Sequence, residues 1–269
     1  MNAPTDLATA TDQRILLRSD ANGVATLTLN RPKQYNALSE ELLAELQAAL
    51  EQIEKDEAVR VVVIAGNGAA FCAGHDLKQM RANPDKAYYQ KLFAQCSKMM
   101  LTLTRIPQPV IARVHGIATA AGCQLVAQCD LAVAAENAKF AVSGINVGLF
   151  CSTPSVPLGR NVLRKQAMEM LLTGEFVDAA TAKDYGLVNV VAPADQLDQA
   201  VSSLAQRIIA KSPVAVSIGK RVFYRQLEMG LAAAYDYAAE TMACNMMAAD
   251  AGEGIDAFIA RRPPHWTGK

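Results

Sequence analysis

The sequence predicts an α/β protein whose core alternates strands with helices and whose last quarter or so is helical throughout. Three observations predict it. Short β-branched apolar runs at Arg60–Ala65, Val110–Val114 and Leu131–Ala134 have the composition of strands covered on both faces. Helical periodicity fills the intervals between them. After about Pro193 no strand-like run recurs, and the remaining segments repeat at helical spacing.

Taken in order, residues 1–12 read as a flexible N-terminal tail, since Met1–Thr11 carries no cationic region followed by an apolar run. Val24–Asn30 sets Val24, Leu27 and Leu29 against threonines as a strand, which Arg31-Pro32 ends. A helix follows, with Ser39 as its N-cap, Glu40 and Glu41 in its first turn, and Leu42, Leu43, Leu46, Leu50 and Ile53 along one face. Lys86–Thr104 and Ala118–Ala127 are the next helices. Four more are expected at Gln196–Lys211, Val214–Glu228, Leu231–Ala248 and Gly252–Arg261. The expected organisation is thus a core over 13–200 and a helical region over 201–269. The alanines and methionines after Leu231, among them Met242, Met246 and Met247, suit either contact with another subunit or an intramolecular cap.

Composition narrows the function. Among 269 residues, 26 Lys and Arg balance 26 Asp and Glu, so no global charge excess is available to grip nucleic acid or an anionic membrane, and an anionic ligand must be met locally. Gly116–Ala135 is weakly charged but carries Gln124, Gln128 and Asp130, which marks it as buried interior rather than a membrane span. Six scattered cysteines without an export signal read as reduced, buried thiols in a cytoplasmic protein. Three histidines and no zinc-like cysteine spacing leave no metal site expected.

Two glycine-bearing segments stand where a strand gives way to a helix. They are Phe71-Cys72-Ala73-Gly74-His75-Asp76-Leu77-Lys78 and His115-Gly116-Ile117-Ala118-Thr119-Ala120-Ala121-Gly122-Cys123-Gln124. Backbone N–H groups at such an end, unshielded by large side chains, can point at a ligand oxygen, and two ends facing one point would form an oxyanion hole. Tight packing explains such glycines equally well. Neither segment fits the dinucleotide or phosphate-loop pattern.

These segments, together with Leu29-Asn30-Arg31-Pro32, Asn36-Ala37-Leu38, Leu125, Cys129-Asp130, Glu253-Gly254 to Phe258 and Arg261-Arg262-Pro263, resemble in order and over nearly the whole chain the enoyl-CoA hydratase/isomerase, or crotonase, superfamily. The run from Gly144 to Pro154 most resembles the branch called enoyl-CoA hydratase domain-containing protein 3. The resemblance implies a spiral of ββα turns with a helical C-terminal region that builds homotrimers, often paired into hexamers. It also implies an acyl-CoA or enoyl-CoA substrate, with no separate cofactor, whose thioester carbonyl is held by the backbone N–H groups of His75 and Ala121. Lys33, Lys78, Arg31, Ala73 and Arg261 would then face the CoA portion, with Arg262 beside Arg261.

Where hydratases of this family use two glutamates, the resemblance places Gln124 and Gly144. Gln takes no proton at neutral pH and Gly has no side chain, so hydration by the usual route is in doubt. Three readings follow: an enoyl-CoA hydratase-like enzyme with altered proton transfer, a malonyl-type CoA decarboxylase using His75, and a non-catalytic acyl-CoA-binding protein. Cys123 and Cys151 read as inert thiols, Asp76 as a helix cap, Asp130 as a partner for backbone groups, His115 as a packed or hydrogen-bonded residue, and Asn146 as a pocket or turn residue.

Overall fold

The computed structural model describes residues 14–269, and the expected tail over 1–12 lies outside them. Two sheets organise the core. A six-stranded sheet runs in the order β1 (Leu16–Ala21), β2 (Val24–Leu29), β3 (Val61–Gly66), β5 (Val110–Val114), β7 (Leu131–Ala135), β10 (Val190–Ala192). A smaller one has the order β4 (Ala70–Cys72), β6 (Ile117–Thr119), β8 (Lys139–Ala141), β9 (Val177–Asp178). In each turn of the chain one strand joins the large sheet, the next joins the small sheet, and a helix follows. β3, β4 and then α2 (Leu77–Ala82) and α3 (Lys86–Arg105) form one turn; β5, β6 and α4 (Ala121–Gln128) form the next; β7, β8 and α5 (Ser152–Asn161) form a third, after which α6 (Arg164–Thr173), β9 and α7 (Ala179–Asp184) lead to β10. This is the expected ββα spiral.

Side-chain alternation explains why β3 is apolar throughout. Val62 and Ile64 enter the main core with α1 (Glu40–Ile53), whereas Val61 and Val63 join Ile111, Val133 and Ala135 beneath Leu197, Val201 and Ala205 of α8 (Leu197–Ile209). Ser39 caps α1 by accepting from the Leu42 N–H at 3.3 Å, and all five of its predicted apolar residues are fully buried.

Several elements differ from their sequence reading. In β2 the buried set is Ala25, Leu27 and Leu29, while Val24 belongs to the opposite face and packs toward α8. The helix expected over Ala118–Ala127 begins only at Ala121, because Ile117–Thr119 pairs between β4 and β8. β1 was not anticipated, although Asn22-Gly23, both in left-handed conformation, is the turn a two-residue hairpin requires. Strands of two or three residues are too short to carry a period. Cys244 is exposed, whereas the other five cysteines are buried as expected.

The terminal helices α9 (Pro213–Gln226), α10 (Leu231–Met246) and α11 (Ala249–Ile259) pack on one another and reach the core through α9 and α3. Their joint is polar and buried. Lys220 Nζ lies 2.7 Å from Asp130 Oδ2 and donates to the carbonyls of Leu103 and Gln108, while Asp130 also accepts from the Val110 N–H and the Tyr224 hydroxyl. Asp130 thus satisfies a backbone group, as expected, and also joins core to terminal region.

Candidate functional site

Three chain segments build the candidate site, and the first two meet at Gly74. The Asn36-Ala37-Leu38 turn comes first. Buried Asn36 accepts from the Arg31 N–H at 2.9 Å and donates to the carbonyls of Asn67 and Ala70, each at 2.8 Å, which fixes the turn. Leu38 then pairs with the segment beyond β4: its N–H donates to Gly74 O at 2.8 Å, and its carbonyl accepts from the Asp76 N–H at 3.2 Å. Arg31 donates to Asp76 Oδ2 at 2.9 Å and to the Ala37 carbonyl. Asp76 in turn caps α2, accepting from the N–H groups of Lys78 and Gln79. Although burial opposes it, the Arg31 hydrogen bond and these N–H donors hold the Asp76 carboxyl below its ordinary value.

The second segment is the start of α4. Ala120 adopts φ 50°, a left-handed conformation in which a residue with a Cβ is strained by about 1–3 kcal/mol, and it turns the chain from β6 into the helix. Gly74, at φ 96°, allows the close approach: a Cβ there would sit 2.9 Å from Ala120 Cβ and 3.2 Å from Ala121 N. Gly122 presses α4 against β4 closely enough that a Cβ would lie 2.0 Å from the Cys72 carbonyl oxygen. Among the described residues, neither the His75 N–H nor the Ala121 N–H donates a hydrogen bond.

The third segment is the Ser143–Val147 turn, tied to β6 by the 2.7 Å contact of Thr119 Oγ1 and Ser143 Oγ. It presents Gly144, whose N–H donates to Cys151 Sγ at 3.3 Å and whose carbonyl accepts from Leu149 N–H. A Cβ at 144 would stand 2.7 Å from both Cys151 Sγ and Leu149 O, so no side chain, a glutamate least of all, fits without moving this loop. Burial raises the Cys151 thiol, opposed by the Gly144 N–H, and pushes Cys123 up to about 12, which keeps both thiols protonated.

His75 sits edge-on to Phe93, with ring centroids 5.5 Å apart, and both of its ring nitrogens are buried without a hydrogen-bond partner. Burial lowers its pKa, and the nearby Leu38 carbonyl opposes the shift. Gln124 is 4% exposed and its Oε1 is likewise unpartnered. His115 donates from Nε2 to the Gly68 carbonyl at 2.8 Å, and Asn146 Nδ2 donates to the Gly174 carbonyl at 3.4 Å, roles that hold turns.

Of the residues the sequence singled out, the fold brings His75, Ala73, Ala121, Gln124 and Gly144 onto these three segments. Exposed Lys33 and Lys78 flank them and, among the described residues, have no carboxylate within 4.0 Å. Arg31 is committed to Asp76 and Ala37. Arg261 follows α11, which packs on α9 and α10, and Arg262 pairs with Glu253, drawing that carboxyl down to about 2. Asn36, Leu38, Phe93, Thr119 and Ser143 were missed as positioning residues. Asn36, Leu38 and Thr119 lie within the motifs singled out above but carried no assigned role, whereas Phe93 and Ser143 left no sequence signal. Among the described residues no group of three or more His, Cys, Asp or Glu could hold a metal, and no helix is long and apolar enough to cross a membrane.

A spiral of ββα turns in which two successive turns bring their strand-to-helix junctions together is the architecture of acyl-CoA enzymes of the crotonase type. The chain belongs to the enoyl-CoA hydratase/isomerase family, whose model matches residues 19–269. It is 41% identical over 256 residues, covering 95% of this chain and 85% of its relative, to the mitochondrial enoyl-CoA hydratase domain-containing protein 3 of Rattus norvegicus. The crystal structure of the human enoyl-CoA hydratase domain-containing protein 3 superposes with a TM-score of 0.91 at 42% identity, covering 94% of this chain and all of that one. An enoyl-CoA hydratase from Mycobacterium smegmatis gives 0.93 at 58% identity, with 94% and 99% covered.

Proposed function

We propose that the protein is an enoyl-CoA hydratase-like enzyme that binds an acyl-CoA thioester and stabilises enolate charge on the thioester oxygen through the N–H groups of His75 and Ala121. One observation carries this: two backbone donors without an acceptor stand on segments that Gly74 brings into contact. Moving a proton beside a thioester builds negative charge on its oxygen, and two fixed donors lower that barrier by about 3 kcal/mol each. Lys33 and Lys78 are the cations best placed for the CoA phosphates, with Arg261 contributing from the terminal region of a neighbouring copy. Proton transfer does not use a carboxylate at 124 or 144. Decarboxylation of a malonyl-type ester is the weaker reading, since burial favours a neutral His75 and a neutral ring pairs poorly with a carboxylate. A reducing compartment such as the cytoplasm suits the five buried free thiols, and the relative from Rattus norvegicus is named as a mitochondrial protein.

Titration with crotonyl-CoA and methylmalonyl-CoA, with product detection, tests the reading. Gly74→Ala is expected to lower thioester turnover, or affinity if no turnover is seen, by about 100-fold, because its Cβ crowds Ala121 N. Unchanged binding in a folded Gly74→Ala variant sinks the oxyanion-hole assignment, and turnover of methylmalonyl-CoA alone sinks the hydratase reading.

The terminal region supports a homotrimer or a hexamer of paired trimers. Leu231, Tyr235, Met242, Met246, Met247, Phe258 and Ile259 are all at least half exposed, and α10 buries only Ala234. Large exposed apolar side chains of this kind are what subunit contacts cover. Sedimentation at micromolar concentration should give three or six copies; a monomer overturns the assembly.

A further inference from the structure

We infer that Lys220 and Tyr224 of the terminal region are positioning residues for the thioester site: through Asp130 they hold the far end of the helix whose first residue presents the Ala121 N–H. This rests on the thioester reading above. α4 runs for eight residues from Ala121 to Gln128, about 12 Å. Its two ends are held by different means. At the start, Gly122 packs against the Cys72 carbonyl, and that contact sets how near α4 comes to β4. A contact across a helix does not fix its position along its own axis. That position is set beyond the C-terminus. Asp130, two residues past Gln128, accepts at Oδ2 from the Val110 N–H at 2.6 Å and at Oδ1 from the Tyr224 hydroxyl at 2.7 Å, and Lys220 Nζ lies 2.7 Å from Oδ2. The first bond ties the end of α4 to the start of β5, and the other two tie it to α9.

Lys220 reaches the other half of the site as well. Its ammonium donates to the Leu103 carbonyl at 2.6 Å, in the last turn of α3, and to the Gln108 carbonyl at 2.8 Å. Ten residues earlier on α3, about 15 Å away, Phe93 packs edge-on against His75. α3 and α4 also touch each other. One cation thus sits at the C-terminal ends of both helices that reach the site, where unpaired carbonyls favour positive charge. The Lys220 and Asp130 side chains are only 6% and 15% exposed, so these bonds are sheltered from water and hold a defined geometry. A displacement of about 1 Å is enough to weaken a fixed donor's hold on its acceptor. Neither Lys220 nor Tyr224 touches the site; both act through the helices that they anchor.

Calorimetric titration of the full chain with butyryl-CoA and with S-butyl-CoA, in which a methylene replaces the thioester carbonyl, tests the inference. The wild type should prefer the thioester at least about fivefold, the share of binding that the two N–H donors supply. That preference should fall at least about threefold in Lys220→Met and about twofold in Tyr224→Phe, while the affinity for S-butyl-CoA changes less than about twofold in either. Near-ultraviolet circular dichroism and sedimentation at one protein concentration establish that a variant keeps the wild-type fold and assembly. Tyr224→Phe leaves no charge unpaired, so it decides the matter if Lys220→Met does not fold. An unchanged preference in a folded variant, or an equal loss for both ligands, which general loosening would produce, overturns the inference while the thioester reading stands. A wild type that binds both ligands equally, or neither, overturns the thioester reading and the inference with it.

Discussion

Replacing Lys220 by methionine is expected to cost about 3–5 kcal/mol of unfolding free energy, toward the lower end because Asp130 keeps 15% of its side chain exposed. Lys220 is 6% exposed and bonds at once to a carboxylate and to two carbonyls, Leu103 O and Gln108 O. Methionine fills the space but leaves those three acceptors without their donor. Adding Asp130→Asn should recover part of the loss, since the unpaired charge goes with it; a double variant losing the full sum of the two single losses would show that the groups act independently. Burial also lowers the pKa of Lys220, with Asp130 opposing. The unfolded chain then holds that proton more tightly than the native one, so the wild type gains stability as pH rises in the window just below the ordinary lysine value of 10.5, and this contribution to the slope should vanish in Lys220→Met. Urea unfolding at one fixed protein concentration measures both effects, because stability of an assembling protein depends on concentration.

Gly122→Ala is expected to destabilise the fold by about 3 kcal/mol, the upper end for overpacking, and to weaken thioester binding at least about tenfold. Its Cβ would meet the Cys72 carbonyl oxygen at 2.0 Å and the carbonyl carbon at 2.7 Å. These are backbone atoms of β4, so relief comes only by sliding α4 away from the small sheet. That slide carries Ala121 from Gly74 and separates the two free N–H groups. Gly219→Ala is the control: nothing lies within 4 Å of its added Cβ, and within α9 alanine should stabilise by about 0.5–1 kcal/mol. Thermal unfolding and butyryl-CoA titration of both variants check the contrast, and equal behaviour would show that the contact at Gly122 does not hold the site.

The two positions at which the resemblance expects glutamates, 124 and 144, differ in their surroundings. Gly144 N–H bonds to Cys151 Sγ, and the space that a side chain at 144 would need is filled by that sulfur and by Leu149 O. A glutamate cannot simply be put back. The loop has closed over the position, whereas Gln124 keeps the length and shape of a glutamate in a buried place with its oxygen unpaired. The two positions therefore differ physically: there is no room for a side chain at 144, whereas 124 holds a buried polar one.

Much of the fold was legible along the chain. Leu42, Leu43, Leu46, Leu50 and Ile53 marked α1 because helical spacing puts them on one face, and Val61–Ala65 marked a strand buried on both faces because alternate side chains enter two different cores. The motifs around Gly74 and Gly122 marked the junctions where small residues were needed, and the resemblance they carry named the family. Strands β4, β6, β8 and β9 were not legible, since two or three residues display no period and exist only through their partners. The face of Val24 was misread for a related reason: alternation fixes that neighbours differ, but which set turns toward which core depends on what packs above.

Of the site, local sequence determined the residue types: glycines without Cβ, a histidine after Ala-Gly, a glutamine in the first turn of a helix, and no carboxylate at 124 or 144. Only the tertiary structure decided that Gly74 abuts Ala121, that Leu38 and Asn36 hold the His75 segment from some forty residues away in the chain, that Cys151 closes over Gly144, and that His75 and Gln124 are buried without partners. The physical reason is that conformational freedom at a glycine is a local property, whereas what its missing side chain makes room for, and whether a buried polar atom finds a partner, depend on segments brought together by packing.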